Sequence, residues 1–102
     1  MVVNQQSESL INFRVESDNN SHMLFVTGSD KVGIGTPLPQ VTLHVHADSI
    51  NDGAVMISQS DNSTDASQLD LSKSRGSGAS PAAVQNNDFL GQVRFLAYDG
   101  NS

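Results

Sequence analysis

The chain has 102 residues, of which 36% are hydrophobic and 5% aromatic, with no tryptophan and no cysteine. Its formal net charge is −6, from nine aspartates and two glutamates against five basic residues. These figures exclude disulfides and thiolate metal sites. They also argue against nucleic-acid binding, which needs clustered Lys and Arg, and they leave only a thin core for a chain of this length. With disulfides gone, association is the remedy left most open, and the pattern is too apolar and too regular for a disordered tail.

Residues 1–9 are polar and irregular and read as a linker or entry strand. They lack the basic region and apolar run of a signal peptide, which fits synthesis in a cytoplasm. No run of about 18 apolar residues exists, so no transmembrane helix is expected. From Leu10 to Glu16 the chain alternates, with Ile11, Phe13 and Val15 on one face and Asn12, Arg14 and Glu16 on the other. That is the signature of a half-buried strand. The polar cluster Ser17-Asp18-Asn19-Asn20-Ser21 reads as a hairpin turn. A second strand spans His22 to Thr27, its centre Met23-Leu24-Phe25-Val26 apolar on both faces and expected to be the more buried. Gly28-Ser29-Asp30 turns the chain into a third strand, Lys31 to Thr36. There Val32 and Ile34 alternate with Gly33 and Gly35, giving one face without side chains that suits close approach by another backbone. Residues 10–36 are therefore expected to form a β-meander.

Pro37-Leu38-Pro39 is a stiff, extended connector, and residues 37–40 are taken as the boundary between two β units. In the second, residues 41–102, Val41, Leu43 and Val45 face one way and Thr42, His44 and His46 the other. Asp48 to Gly53 is a turn, Ala54 to Ser58 a short apolar strand, and Ser60 to Asp65 a polar loop. Gln68 to Arg75 alternates with Leu69 and Leu71 inward. Gly76 to Asn87 is irregular, with at most one helical turn at Ala82-Ala83-Val84. Gln92 to Tyr98 is the last strand, with Val93 and Phe95 on one face. Asp99-Gly100 is a hairpin signal, so the unit is expected to be truncated at residue 102. No 3.6-residue apolar period persists for ten residues, and the fold class is all-β. The expected interior uses Ile11, Phe13, Val15, Phe25, Val32, Ile34, Val41, Leu43, Val45, Val55, Ile57, Leu69, Leu71, Val93 and Phe95.

Candidate chemistry is sparse. His44 and His46, at i and i+2, share a strand face. In a threefold assembly they would offer six imidazoles to one transition metal. The pattern favours two solvent-facing histidines, since the apolar face should hold the core. Asp61-Asn62-Ser63-Thr64-Asp65 offers oxygens at alternate positions but lacks the glycine and distal glutamate of a calcium loop, and reads as a solvated turn. No Gly-x-Ser-x-Gly elbow is present: Arg75-Gly76-Ser77-Gly78 is only Gly-Ser-Gly. Val32-Gly33-Ile34-Gly35-Thr36 lacks the third glycine, the Lys-Ser/Thr pair and the following helix of a nucleotide loop. Arg14, Lys73, Arg75 and Arg94 are candidates for ion pairs with aspartates, and Phe89 and Tyr98 for a sugar-binding patch or, more simply, core or interface. No enzyme and no cofactor is expected.

Phe13-Arg14-Val15-Glu16-Ser17-Asp18-Asn19-Asn20, then Met23-Leu24-Phe25-Val26, then Lys31-Val32-Gly33-Ile34-Gly35-Thr36, resembles a unit of tail-fibre and other virion proteins of tailed bacteriophages, familiar from phages of marine bacteria and cyanobacteria. The segments Leu71 to Gly76, Ser80 to Gln85, Asp88 to Phe95 and Tyr98-Asp99-Gly100 are similar to a module that often follows it in such fibres. The resemblance implies an elongated, parallel, homotrimeric fibre segment in a virion appendage. Its partners would be copies of itself, other appendage proteins and, through a tip elsewhere, a host glycan or protein. The glycines would then let three backbones approach an axis. Fibres of this kind often carry a self-cleaving chaperone domain, to which nothing here corresponds. A carbohydrate-binding adhesin module and a bacterial trimeric surface protein are the alternatives.

Overall fold

A computed structural model describes residues 12–49 and 55–100. The expected entry strand at 1–9, Leu10, Ile11 and Ala54 lie outside those residues. Among the described residues there is no helix, and all regular structure is strand. The chain divides into two units between Met56 and Ile57.

The first unit is a four-stranded sheet whose spatial order follows chain order. Strands β1 (Phe13–Ser17), β2 (Asn20–Val26) and β3 (Val32–Ile34) form the expected antiparallel meander. Asp18-Asn19 is the tip of the first hairpin, with Ser17 paired to Asn20. The second turn is held by Thr27, whose N–H donates to the Lys31 carbonyl at 2.9 Å. Its hydroxyl oxygen accepts the N–H groups of Ser29 and Lys31. Asp30 takes a φ of 65° there, a conformation that aspartate tolerates better than most residues. Asn12 ties β1 to this turn by accepting the Gly28 N–H at 2.9 Å.

Strand β4 (Leu43–Val45) pairs with β3 in parallel. The Val32 N–H donates to the Thr42 carbonyl at 2.8 Å and the His46 N–H to the Ile34 carbonyl at 2.9 Å. The sequence places residues 41–46 in a second unit beyond the connector at 37–40. In the structure they extend the first sheet instead. The connector is a crossover within one sheet, and its two prolines hold a parallel connection to eight residues, 35–42, where about a dozen is usual.

That crossover explains the glycines. A Cβ on Gly33 would collide with the Thr36 carbonyl oxygen, and one on Gly35 with that of His46. Gly35 also has a φ of +79°, which an L side chain resists. The bare face is therefore occupied by backbone of the same chain, and the glycines need no second chain, contrary to what the resemblance implies. Phe25 pairs opposite Gly33, and Phe25, Gly33, Thr36 and Pro39 are the buried residues among those described in this unit. Thr36 closes the turn, its hydroxyl oxygen accepting the Leu38 N–H at 3.0 Å.

The second unit is less regular. Arg75–Gly76 (β5) and Pro81–Ala82 (β6) form a two-residue antiparallel pair, closed by reciprocal backbone hydrogen bonds of Ser77 and Ser80. Ala82 is thus strand where a helical turn was possible. Residues 55–58, at the boundary of the two units, and 68–74 and 92–98, all expected as strands, carry no ladder among the described residues. Alternation defines the two faces of a strand but supplies no neighbour, and the Ser67 hydroxyl, which donates to the Ile57 carbonyl at 3.3 Å, is a side-chain contact that builds no ladder. The expected interior is corrected accordingly. Among the described candidates Phe25 alone is buried, at 9% exposure, whereas Val15, Val41, Leu43, Val55, Ile57, Leu69, Leu71, Val93 and Phe95 are exposed.

Candidate functional site

The register sorts the side chains of the sheet into two unlike faces. Phe13 is opposite Val26 and Val15 opposite Leu24. Leu24 is opposite Ile34 and Val26 opposite Val32. Val32 and Ile34 meet Leu43 and Val45 across the parallel pair. Residues opposite one another share a face, so these eight apolar side chains form one continuous surface, two from each strand. None of the eight is buried. The other face carries Arg14 opposite Phe25, and Gly33 beside His44. Phe25 is therefore on the face away from Phe13 and Val15, with which the sequence had grouped it.

A polar groove lies on the Phe25 face. Asn12, Arg14, Glu16, His22 and Phe25 line a space of about 550 Å³. The β1–β2 register shifts between Val15 and Ser17, and this bulge brings the His22 ring edge-on to Phe25, with centroids 4.9 Å apart. Bulges re-aim side chains in this way. The groove's polar groups are engaged within the chain: Arg14 pairs with Glu16, Asn12 accepts from Gly28, and His22 Nδ1 meets the Ser21 hydroxyl at 2.9 Å.

The histidines singled out in the sequence are brought together. His44 and His46 have ring centroids 5.9 Å apart. His44 Nδ1 accepts the Gln40 N–H, and His46 Nε2 lies 3.0 Å from an Asp48 carboxylate oxygen. No group of three or more His, Cys, Asp or Glu placed to hold a metal occurs among the described residues. In the Asp61 to Asp65 loop, Asp61 accepts the N–H and hydroxyl of Ser63 and the side-chain amide of Gln59. These bonds, that from the Ser63 hydroxyl foremost, hold its carboxyl below the usual range. It is a turn closed by its own side chain.

The firmest side-chain geometry of the second unit is a fork. Arg75 Nε donates to one Asp88 oxygen at 2.8 Å and a terminal nitrogen to the other at 2.7 Å. Asp88 also accepts the Gln85 N–H at 2.9 Å. The guanidinium, and secondly that N–H, lower the Asp88 carboxyl to about 2, while the pairing raises Arg75. Bidentate pairs of this kind fix geometry as well as charge. Asn87, at φ 73°, makes the turn that delivers Asp88. Sequence reasoning named Arg75 as a partner for some aspartate but not which one, since the two are 13 residues apart. Phe89 and Tyr98 are both exposed. No helix among the described residues is long and apolar enough to cross a membrane.

Comparison with family models, with curated proteins and with solved structures finds no match for this chain.

Proposed function

We propose that this chain is a structural segment of a homotrimeric tail fibre or related virion appendage of a tailed phage, positioning a receptor-binding tip at the host surface and performing no catalysis itself. The observation that carries the reading is the uncovered apolar face of the sheet, from Phe13 to Val45. A side chain such as Val or Leu gains roughly 1.5–3 kcal/mol on full burial. On this face Val15, Val26 and Leu43 are exposed and the other five side chains half-buried, so the rest of that energy is gained only against another surface. The sequence resemblance to phage fibre units supplies the class of assembly, and threefold repetition would give the tip avidity by raising effective concentration. In this reading the chain works at the virion surface, with copies of itself and other appendage proteins as partners.

Sedimentation equilibrium tests it. The expected result is a species of about 32 kDa, three chains of 10.8 kDa. A stable monomer at micromolar concentration overturns it. The polar groove at Asn12, Arg14, Glu16 and His22 favours one second reading, a carbohydrate-binding adhesin. Glycan-array binding by this chain, abolished by Arg14→Ala, is the result that would prefer it. The histidine pair is proposed to bind no metal, and elemental analysis of the purified assembly should find none.

A further inference from the structure

Residues 68–74 and 92–98 are the two alternating segments of the second unit that lack ladder partners among the described residues. Among the described residues beyond Ile57, backbone-to-backbone hydrogen bonds are confined to the loop between Arg75 and Asp88. The arms on either side of that loop pass close to each other: Leu71 Cβ lies 2.7 Å from where a Cβ of Gly91 would stand. They nonetheless make no ladder there. Beyond the contact, Val93 is 71% and Phe95 95% exposed. Extended backbone with unpaired N–H and C=O groups and a bare apolar face is a template for strand addition.

Charge selects the occupant and the register. Asp70 and Arg94 have no ion-pair partner among the described residues. Asp70 sits between Leu69 and Leu71, and Arg94 between Val93 and Phe95, so each charge is on the polar face of an arm whose other face is apolar. If one arm pairs with the other and the apolar faces coincide, setting Asp70 opposite Arg94 places both leucines against Val93 and Phe95. This holds for either strand direction, because the pattern is symmetric about the charge. The chain thus carries both halves of a complementary pair, so a second copy can supply to each arm the strand that it lacks.

We propose that residues 68–74 of one copy form a ladder with residues 92–98 of a neighbouring copy, Asp70 opposite Arg94, so that the second unit completes its sheets only in the assembly. This rests on the self-association proposed above and adds to the face of the first sheet a second place of contact between copies. The sheet of the first unit needs no such exchange, since each of its strands has a partner in its own chain.

The chain has no cysteine, which makes crosslinking clean. The full-length double variant Asp70→Cys/Arg94→Cys is oxidised in the assembled state and run on a denaturing gel without reductant. Covalent dimers and trimers are expected. An exclusively monomeric internal crosslink, or no crosslink, overturns the proposal. In parallel, Asp70→Arg and Arg94→Asp should each lower the assembled fraction severalfold, and the double swap should restore it. Loss in the singles without rescue in the double overturns the pairing. Sedimentation of the wild-type chain separates the two ideas: a trimer whose cysteine variant crosslinks only internally refutes the ladder and leaves the fibre reading standing, whereas a wild-type monomer refutes both.

Discussion

Replacing Gly35 by alanine tests whether the glycines of the third strand serve the chain's own crossover. Gly35 has a φ of +79°, and an added Cβ would run into the His46 carbonyl oxygen. The left-handed conformation costs a non-glycine residue about 1–2 kcal/mol. Moving the His46 carbonyl aside disturbs the adjacent 2.9 Å hydrogen bond from the His46 N–H to Ile34, worth about 1 kcal/mol. The expected destabilisation is therefore roughly 2–3 kcal/mol, or a fall in Tm of roughly 10–20 °C for a unit of this size. Thermal unfolding followed by far-UV circular dichroism measures it, on the full chain at fixed protomer concentration. Gly78→Ala is the control, because an added Cβ there meets nothing within 4 Å. Its Tm should stay at or slightly above that of the parent. Because the obstructing carbonyl belongs to the same chain, the fall for Gly35→Ala should be the same at two protomer concentrations tenfold apart. A Gly35→Ala variant melting within a few degrees of the parent would refute the reasoning. A loss seen only as a change in concentration dependence would instead place the glycine at a contact between copies.

The Asp88 carboxyl, held at about 2 by Arg75 against an ordinary value of 3.8, binds its proton more weakly folded than unfolded. Its contribution to stability is thus complete above about pH 4 and disappears as the pH falls through 2. A carbon-13 titration of the Asp88 carboxyl should give the low midpoint, which Arg75→Gln should return towards 3.8; a parent midpoint near 3.8 would mean that the fork is not populated. Thr36→Val keeps the shape of the side chain but removes the oxygen that accepts the Leu38 N–H, so denaturant unfolding should show a loss of about 1 kcal/mol, and none if water replaces it fully. Val15→Asp, on the uncovered face of the sheet, should weaken self-association by at least about tenfold while leaving strand content unchanged by circular dichroism. Undiminished assembly would show that this face is not the one covered.

The sequence was most informative where local chemistry decides. The alternation from Asn12 to Glu16 and the Gly28-Ser29-Asp30 turn each depend on neighbours a few residues away, and the first three strands appear as expected, with Thr27 rather than the glycine anchoring the turn. Register is different. Whether Phe25 shares a face with Phe13 depends on the two-residue hairpin tip at Asp18-Asn19, whose place within the polar cluster Ser17 to Ser21 no residue marks; the bulge between Val15 and Ser17 shifts the register by two residues and leaves the faces as they are. Val41 to Val45 was recognisable as strand, but its parallel pairing to β3 depends on a crossover whose two prolines read equally well as a spacer. The bare face of Gly33 and Gly35 correctly announced a nearby backbone and could not say whose. Of the proposed ladder, the charges at Asp70 and Arg94 are visible as residues, whereas their lack of a partner among the described residues is a property of the fold. The polar groove was not visible at all, because it is assembled by the same bulge.

The order of the sheet bears on how the protein is made. β1 to β4 are neighbours in space in the order in which they leave the ribosome, joined by short connections. Each strand can add to a partner already synthesised, with little loop-closure entropy at any step. The first sheet can therefore form on a single nascent chain, ahead of any encounter between copies. Residues that follow would emerge beside an already folded anchor. A search among free chains for the correct partner would then become a meeting of pre-shaped ends, which narrows the interval in which unpaired strands are open to misassembly.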